Sequence, residues 1–183
     1  SETSPSFPHP DSLGWSAISL SWIAHGYGMN LTPIQTLTFY NAVANNGIRV
    51  SPKLVTHYIE NGDTILLSRN EVHRQKICSE KTLKNANSIL RYVVTNGTGK
   101  HLIDAPVSIS GKTGTIKTNY QKKHETEMYQ SSFVGFFPSE TPKYSCIVLI
   151  DNPDPQKGYY GSDVALPVFK QIVSDMYFSS TSL

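Results

Sequence analysis

The second half of the chain holds three strand-like segments in succession, at residues 107–117, 131–137 and 144–150, followed by a helix-patterned segment at 163–177. The last strand contains Cys146-Ile147-Val148-Leu149-Ile150, an unbroken apolar run. Such continuity predicts an interior strand covered on both faces. Within it Cys146 reads as a small core residue. Along 163–177, Val164, Val168, Ile172 and Met176 form one line, with Ala165, Phe169 and Val173 beside it. That wide apolar stripe needs a sheet to cover. Pro167 blurs the start of this helix by a few residues.

The first half supplies matching elements. Thr32-Pro33-Ile34-Gln35 has the form of a helix start: a Thr cap, Pro in the first helical position, and Gln three residues after the cap. This helix should run to about Asn45, because Asn46-Gly47 is a left-handed stop. Residues 53–59 and 64–67 read as strands joined through Asn61-Gly62-Asp63, a hairpin signal. Ser79 caps a second helix, with Leu83, Ala86, Leu90 and Val93 at helical spacing and Asn96-Gly97 at its end. The order helix, hairpin, helix, three strands, helix predicts an α+β fold, an antiparallel sheet flanked by helices. At 183 residues, 38% of them hydrophobic and 16% charged, the chain suits one globular domain over 1–183. Residues 1–25, with Ser4-Pro5-Ser6-Phe7-Pro8-His9-Pro10, read as an irregular lead-in.

A formal charge of +2 with scattered Lys and Arg argues against a nucleic-acid partner. No apolar run approaches the roughly 20 residues that span a bilayer, and no signal-peptide pattern is present. Cys78 and Cys146 are the only cysteines, too few for a disulfide framework, and the six histidines share no His-x-x-x-His spacing. No metal and no cofactor is expected. Residues 117–130, with Lys122-Lys123-His124-Glu125, read as a solvated loop. Asn30-Leu31-Thr32 and Asn96-Gly97-Thr98 match the glycosylation sequon but coincide with helix ends. The tyrosines and phenylalanines fall mostly at core-like positions, and no stacking platform is expected of them.

The chemistry-bearing segment is Ser110-Gly111-Lys112-Thr113-Gly114-Thr115. Its Gly-Lys-Thr invites comparison with a phosphate loop, but Pro106 stands where the first Gly belongs, and β-type residues follow where a helix is needed. Gly97-Thr98-Gly99-Lys100 fails likewise, with Val94 and His101 at the key positions. On a strand, Gly111 and Gly114 let a ligand backbone approach closely. Lys112 adds a cation, and Thr113 and Thr115 add hydroxyls. Together these suit a carboxylate-bearing peptide laid along a strand edge. Strict alternation sends Lys112 and Thr113 to opposite faces.

Lys112-Thr113-Gly114 matches the third signature of the serine β-lactamase and penicillin-binding superfamily. Other stretches, in order, resemble class B penicillin-binding proteins: Gly26-Tyr27-Gly28 leading to Leu31-Thr32-Pro33-Ile34-Gln35; Ala42-Val43-Ala44-Asn45-Asn46-Gly47; Val93-Val94 with Gly97-Thr98-Gly99; Ser132-Phe133-Val134-Gly135-Phe136-Phe137-Pro138; and Tyr159-Tyr160-Gly161 with Ala165-Leu166-Pro167-Val168-Phe169. The resemblance runs from about Gly26 onward. It implies the C-terminal portion of a transpeptidase domain with the β-lactamase-like fold. Leu37-Thr38-Phe39-Tyr40-Asn41-Ala42-Val43-Ala44-Asn45 looks closer to division-type than to elongation-type members.

By that resemblance the substrate is a peptidoglycan stem peptide ending in D-Ala-D-Ala, and β-lactams are its mimics. Lys112 would attract the terminal carboxylate, Thr113 would contribute a hydroxyl to it, and Gly114 would keep the edge clear. Thr115 would offer its side chain to the ligand and its backbone N–H to an oxyanion hole. The resemblance also implies a membrane-anchored parent at the periplasmic face of the bacterial inner membrane, with divisome proteins as partners. The chain contains no Ser-x-x-Lys, and its one Ser-x-Asn match, Ser68-Arg69-Asn70, falls in the wrong order. The expectation is therefore a fragment or processed product. Its nucleophile and general base would lie in a missing N-terminal half, and alone it would be inactive. Two alternatives stay open: a serine β-lactamase or penicillin sensor, and a non-catalytic peptide- or protein-binding module on the same scaffold.

Overall fold

The computed structural model describes residues 2–66, 72, 73, 75–118 and 127–181, the side chains of the last two apart. The lead-in is not irregular throughout. A short helix, α1 (Ser19–Ala24), forms within it with no buried residue, and Ser6 bridges to Asn30. Trp22 of α1 meets Tyr27 edge-on at 5.2 Å, a contact that no helical periodicity announces.

Helix α2 (Pro33–Ala44) starts as its sequence dictates. Gln35 N–H donates to the Thr32 hydroxyl at 3.3 Å, and Thr32 N–H donates to Gln35 Oε1 at 3.0 Å. It stops at Asn46 and Gly47, with φ of 52° and 81°. Two short ribbons follow: β1 (Arg49–Val50) pairs with β4 (Val72–His73), and β2 (His57–Glu60) with β3 (Asp63–Leu66). Asn61 and Gly62 make the β2–β3 turn with φ of 52° and 89°, as a two-residue hairpin requires. The strands are shorter than the sequence suggests, since residues 53–56 stay outside the ladder. Ser68-Arg69-Asn70 lies outside the described residues.

Helix α3 (Glu80–Thr95) is capped by the Ser79 hydroxyl, which accepts from Thr82 N–H. The main sheet is antiparallel with the order β5 (Ser110–Lys117), β6 (Tyr129–Phe137), β7 (Tyr144–Asp151). Here one expectation is corrected. The apolar strand β7 is an edge strand among the described residues, and β6 is the interior one, with Phe133, Val134, Phe136 and Phe137 buried. Apolar continuity reports cover above and below a strand, not its lateral place. Both α2 and α4 (Gly161–Thr181) pack on β7.

Phe133 and Phe137 face α4, where both meet Phe169 edge-on, in a core with Val94, Leu102, Ile109, Leu166 and Val173. Phe136 points to the other face, against Val43 of α2 and Leu83 of α3. The sheet is thus covered on both sides. Strand β5 begins at Ser110 and not at 107, because the preceding carbonyls bond elsewhere: Ser108 accepts from Ser139 N–H, and Ile109 accepts from the Arg91 guanidinium at 2.9 Å. In α4 the buried line is Ala165, Leu166, Phe169 and Val173, while Val168 is 43% exposed. The stripe is turned by about one position from the periodicity reading, with Leu166 inside in place of Val168.

Candidate functional site: the outer edge of β5

Strand β5 pairs with β6 on one side only, and no described strand pairs with its other edge. The ladder fixes which groups that edge presents. Thr118 N–H donates to the Met128 carbonyl at 2.9 Å, and the register runs unbroken from Lys117↔Tyr129 to Ser110↔Phe136. Hydrogen-bonded positions alternate in an antiparallel pair. Ile116, Gly114 and Lys112 therefore turn their backbone groups toward β6. Thr113 and Thr115 turn their N–H and C=O groups outward, to the open edge.

The side chains alternate as the sequence demands. Thr113 lies on the α4 face and Lys112 on the α2 face, opposite Val134. Yet the Lys112 ammonium folds back to donate to the Thr113 carbonyl at 2.9 Å. A four-carbon stem lets the charge leave its own face, so alternation does not separate it from the threonines. The cation, the Thr113 hydroxyl and the outward Thr115 N–H come together along one edge.

Two further contacts hold this edge. Thr98, just beyond α3, places its hydroxyl 2.7 Å from that of Thr113. Gly161, the first residue of α4, donates its N–H to Thr115 Oγ1 at 2.9 Å. Gly161 tolerates no side chain, since a Cβ there would lie 2.4 Å from the Ser132 carbonyl oxygen and 2.7 Å from that of Gly114. At Gly114 a Cβ would lie 2.6 Å from Ser132 Oγ. The space left by Gly114 is therefore filled by β6 itself, and the edge is open because no described strand pairs with it.

At the C-terminal end of β5 the tyrosines depart from the core-like reading. Tyr129 stacks on Tyr159 with centroids 4.2 Å apart and planes 20° apart, and Tyr159 lies 4.5 Å from Tyr160. Three partly exposed rings can pack against apolar parts of a ligand. The Tyr129 phenol donates to Glu127 Oε2, which pushes its pKa up to about 12. Glu127 in turn pairs with Lys117, whose hydrogen bond holds the carboxyl below its usual range. Thr98, Gly161 and this stack were not singled out as site residues from the sequence. Gly-Thr-Gly at 97–99 and Tyr-Tyr-Gly at 159–161 were visible, but nothing local says that they converge on β5. No group of three potential metal ligands occurs among the described residues.

A family model described as the penicillin-binding protein transpeptidase domain matches residues 1–174. The chain is similar to stage V sporulation protein D of Bacillus subtilis, with 30% identity over 83% of this chain and 24% of that protein. It is also similar to peptidoglycan D,D-transpeptidase FtsI of Buchnera aphidicola, with 30% identity over 87% of this chain and 27% of that one. Among solved structures, penicillin-binding protein 3 of Mycobacterium tuberculosis superposes with a TM-score of 0.80 at 25% identity, over 98% of this chain and 42% of the other. The chain spans about a quarter of the length of these curated relatives.

Proposed function

Since the chain belongs to the penicillin-binding protein transpeptidase family, we propose that it forms one wall of the cleft in which a class B D,D-transpeptidase cross-links peptidoglycan stem peptides. The open edge of β5 carries this reading. An extended peptide ending in D-Ala-D-Ala lies along it as an added strand, with its terminal carboxylate held by Lys112 and by the Thr113 and Thr115 hydroxyls. A serine attacks the penultimate D-Ala carbonyl, and the Thr115 N–H donates to the developing oxyanion. The C–N bond then breaks, terminal D-Ala leaves, and the acyl group waits on the serine for an amine of a second stem peptide. β-Lactams enter as mimics with the same carboxylate.

The serine and its lysine base come from outside these 183 residues, because the chain has no Ser-x-x-Lys. The sequence of α2 supports a division-type role with divisome proteins as partners, and the family resemblance supports a place at the periplasmic face of the bacterial inner membrane. No helix among the described residues is long and apolar enough to cross a membrane. The test is acylation by labelled penicillin of the protein that carries this chain together with the serine. Lys112→Ala should slow it by about 10- to 100-fold, the worth of a hydrogen bond to a charged group. The 183 residues alone should gain no adduct by intact mass. Equal rates for wild type and Lys112→Ala would remove Lys112 from the site. A wild-type protein that never labels would favour the non-catalytic binding module.

A further inference from the structure

We propose that Thr98 is a positioning residue, whose hydroxyl donates to Thr113 Oγ1 and so commits the Thr113 proton to the ligand carboxylate. This rests on the reading of β5 as the carboxylate-binding edge. A threonine hydroxyl has one proton and two lone pairs, and it rotates to suit its neighbours. Free in solvent, Thr113 would sample every rotor and lose that freedom on binding. At 2.7 Å from Thr98 the two hydroxyls share one proton between them. The other proton is left for a third group. When an anion sits at the edge beside Thr113, that proton is the one on Thr113, and Thr98 supplies the shared one.

The second hydroxyl of the edge is arranged by the same logic. Thr115 Oγ1 accepts from the Gly161 backbone N–H, which can only donate, so one of its lone pairs is already used by the protein. Both hydroxyls are then primed as donors, each filled from behind by a donor of the scaffold. Chains of hydrogen bonds polarise in this sense and strengthen the terminal donor.

The loop that carries Thr98 is held in place. A Cβ at Gly97 would lie 3.0 Å from the Val93 Cα and carbonyl oxygen, and one at Gly99 would lie 3.2 Å from the same oxygen. Gly97 and Gly99 N–H groups both donate to that carbonyl. The single turn that follows buries Leu102 in the α4-side core. Thr98 therefore projects from a short, doubly anchored loop while its own side chain stays exposed. No packing duty accounts for its hydroxyl.

The experiment compares Thr98→Val and Thr98→Ser in the protein that carries this chain together with the serine. Acylation rates are measured with a penicillin and with its methyl ester, which keeps the ring and lacks the anion. Thr98→Val should slow acylation by the free acid about tenfold and leave the ester within about twofold, the scale of one lost hydrogen bond to a charged group. Thr98→Ser should restore the acid rate. Loss of the acid's advantage at an unchanged Tm is a signature that a merely structural role does not give. The proposal falls if Thr98→Val matches wild type, or if acid and ester slow equally. A wild type that labels with neither compound overturns the underlying transpeptidase reading, and this assignment with it.

Discussion

Tyr129 sits opposite Lys117 at the end of the β5–β6 ladder, and its phenol donates to Glu127 Oε2 at 2.5 Å. Ionising the phenol would break that bond and set two anions side by side, so its pKa rises to about 12. The sign follows directly. The folded state favours the protonated phenol, so this contribution to stability is fully present below pH 10 and is lost as the pH rises through about 12. Glu127 behaves in the opposite sense. Its carboxyl is held down by Lys117, so its contribution is present above the ordinary carboxylate range and is lost as the pH falls through the lowered value. Tyrosine carbon NMR should show the phenol that is missing in Tyr129→Phe still protonated at pH 11. In Glu127→Gln the same resonance should titrate nearer 10. A Tyr129 that titrates alike in both proteins would remove Glu127 as the cause. None of this was legible in the sequence, since Glu127 and Lys117 are ten positions apart and meet only because β5 and β6 pair. Lys112, by contrast, was legible by type and position. What its sequence concealed was that a long side chain returns its charge to the edge from the wrong face.

Helix α2 illustrates an element written almost wholly in local code. Its cap, its Pro at the first turn and its Asn-Gly stop all act within a few residues, so no tertiary partner is needed to place its ends. Thr32→Ala removes the hydroxyl that accepts from Gln35 N–H and should cost about 1 kcal/mol, with Thr32→Ser nearly neutral. Denaturant midpoints of the three proteins check this, and an unchanged midpoint for Thr32→Ala would mean that the cap carries no weight. Strand β7 is the opposite case. Its apolar run correctly announced cover on both faces, given by α2 and α4. Its sequence could not say whether another strand lies beside it, because lateral pairing uses backbone groups that every residue has. The same limit explains α4, where the periodicity predicted a stripe and the packing of Phe169 against Phe133 and Phe137 chose its exact rotation.

At the scale of the molecule, the described residues leave both edges of the main sheet without a strand partner, along β5 and along β7. They also leave large apolar side chains in water, among them Leu54, Ile59, Leu66 and Ile18. Open edges and apolar patches of this kind promote association. The 183 residues expressed alone should therefore form concentration-dependent oligomers in sedimentation velocity and bind an apolar dye. A clean monomer without dye binding would show that these surfaces are tolerated in water. The sequence by itself determined the ends of α2 and α3, the turn of the hairpin, the succession of the three main strands and which of them carries Lys112, Thr113, Gly114 and Thr115. These depend on short-range sterics, capping and periodicity, which a chain carries wherever it is read. Only the tertiary structure decided that Thr98 and Gly161 reach the two threonines, that three tyrosines cluster at the end of β5, and that β6 and not β7 is central. Those facts depend on which backbone groups find each other across the sheet, and hydrogen-bonding groups common to all residues leave no mark in the sequence.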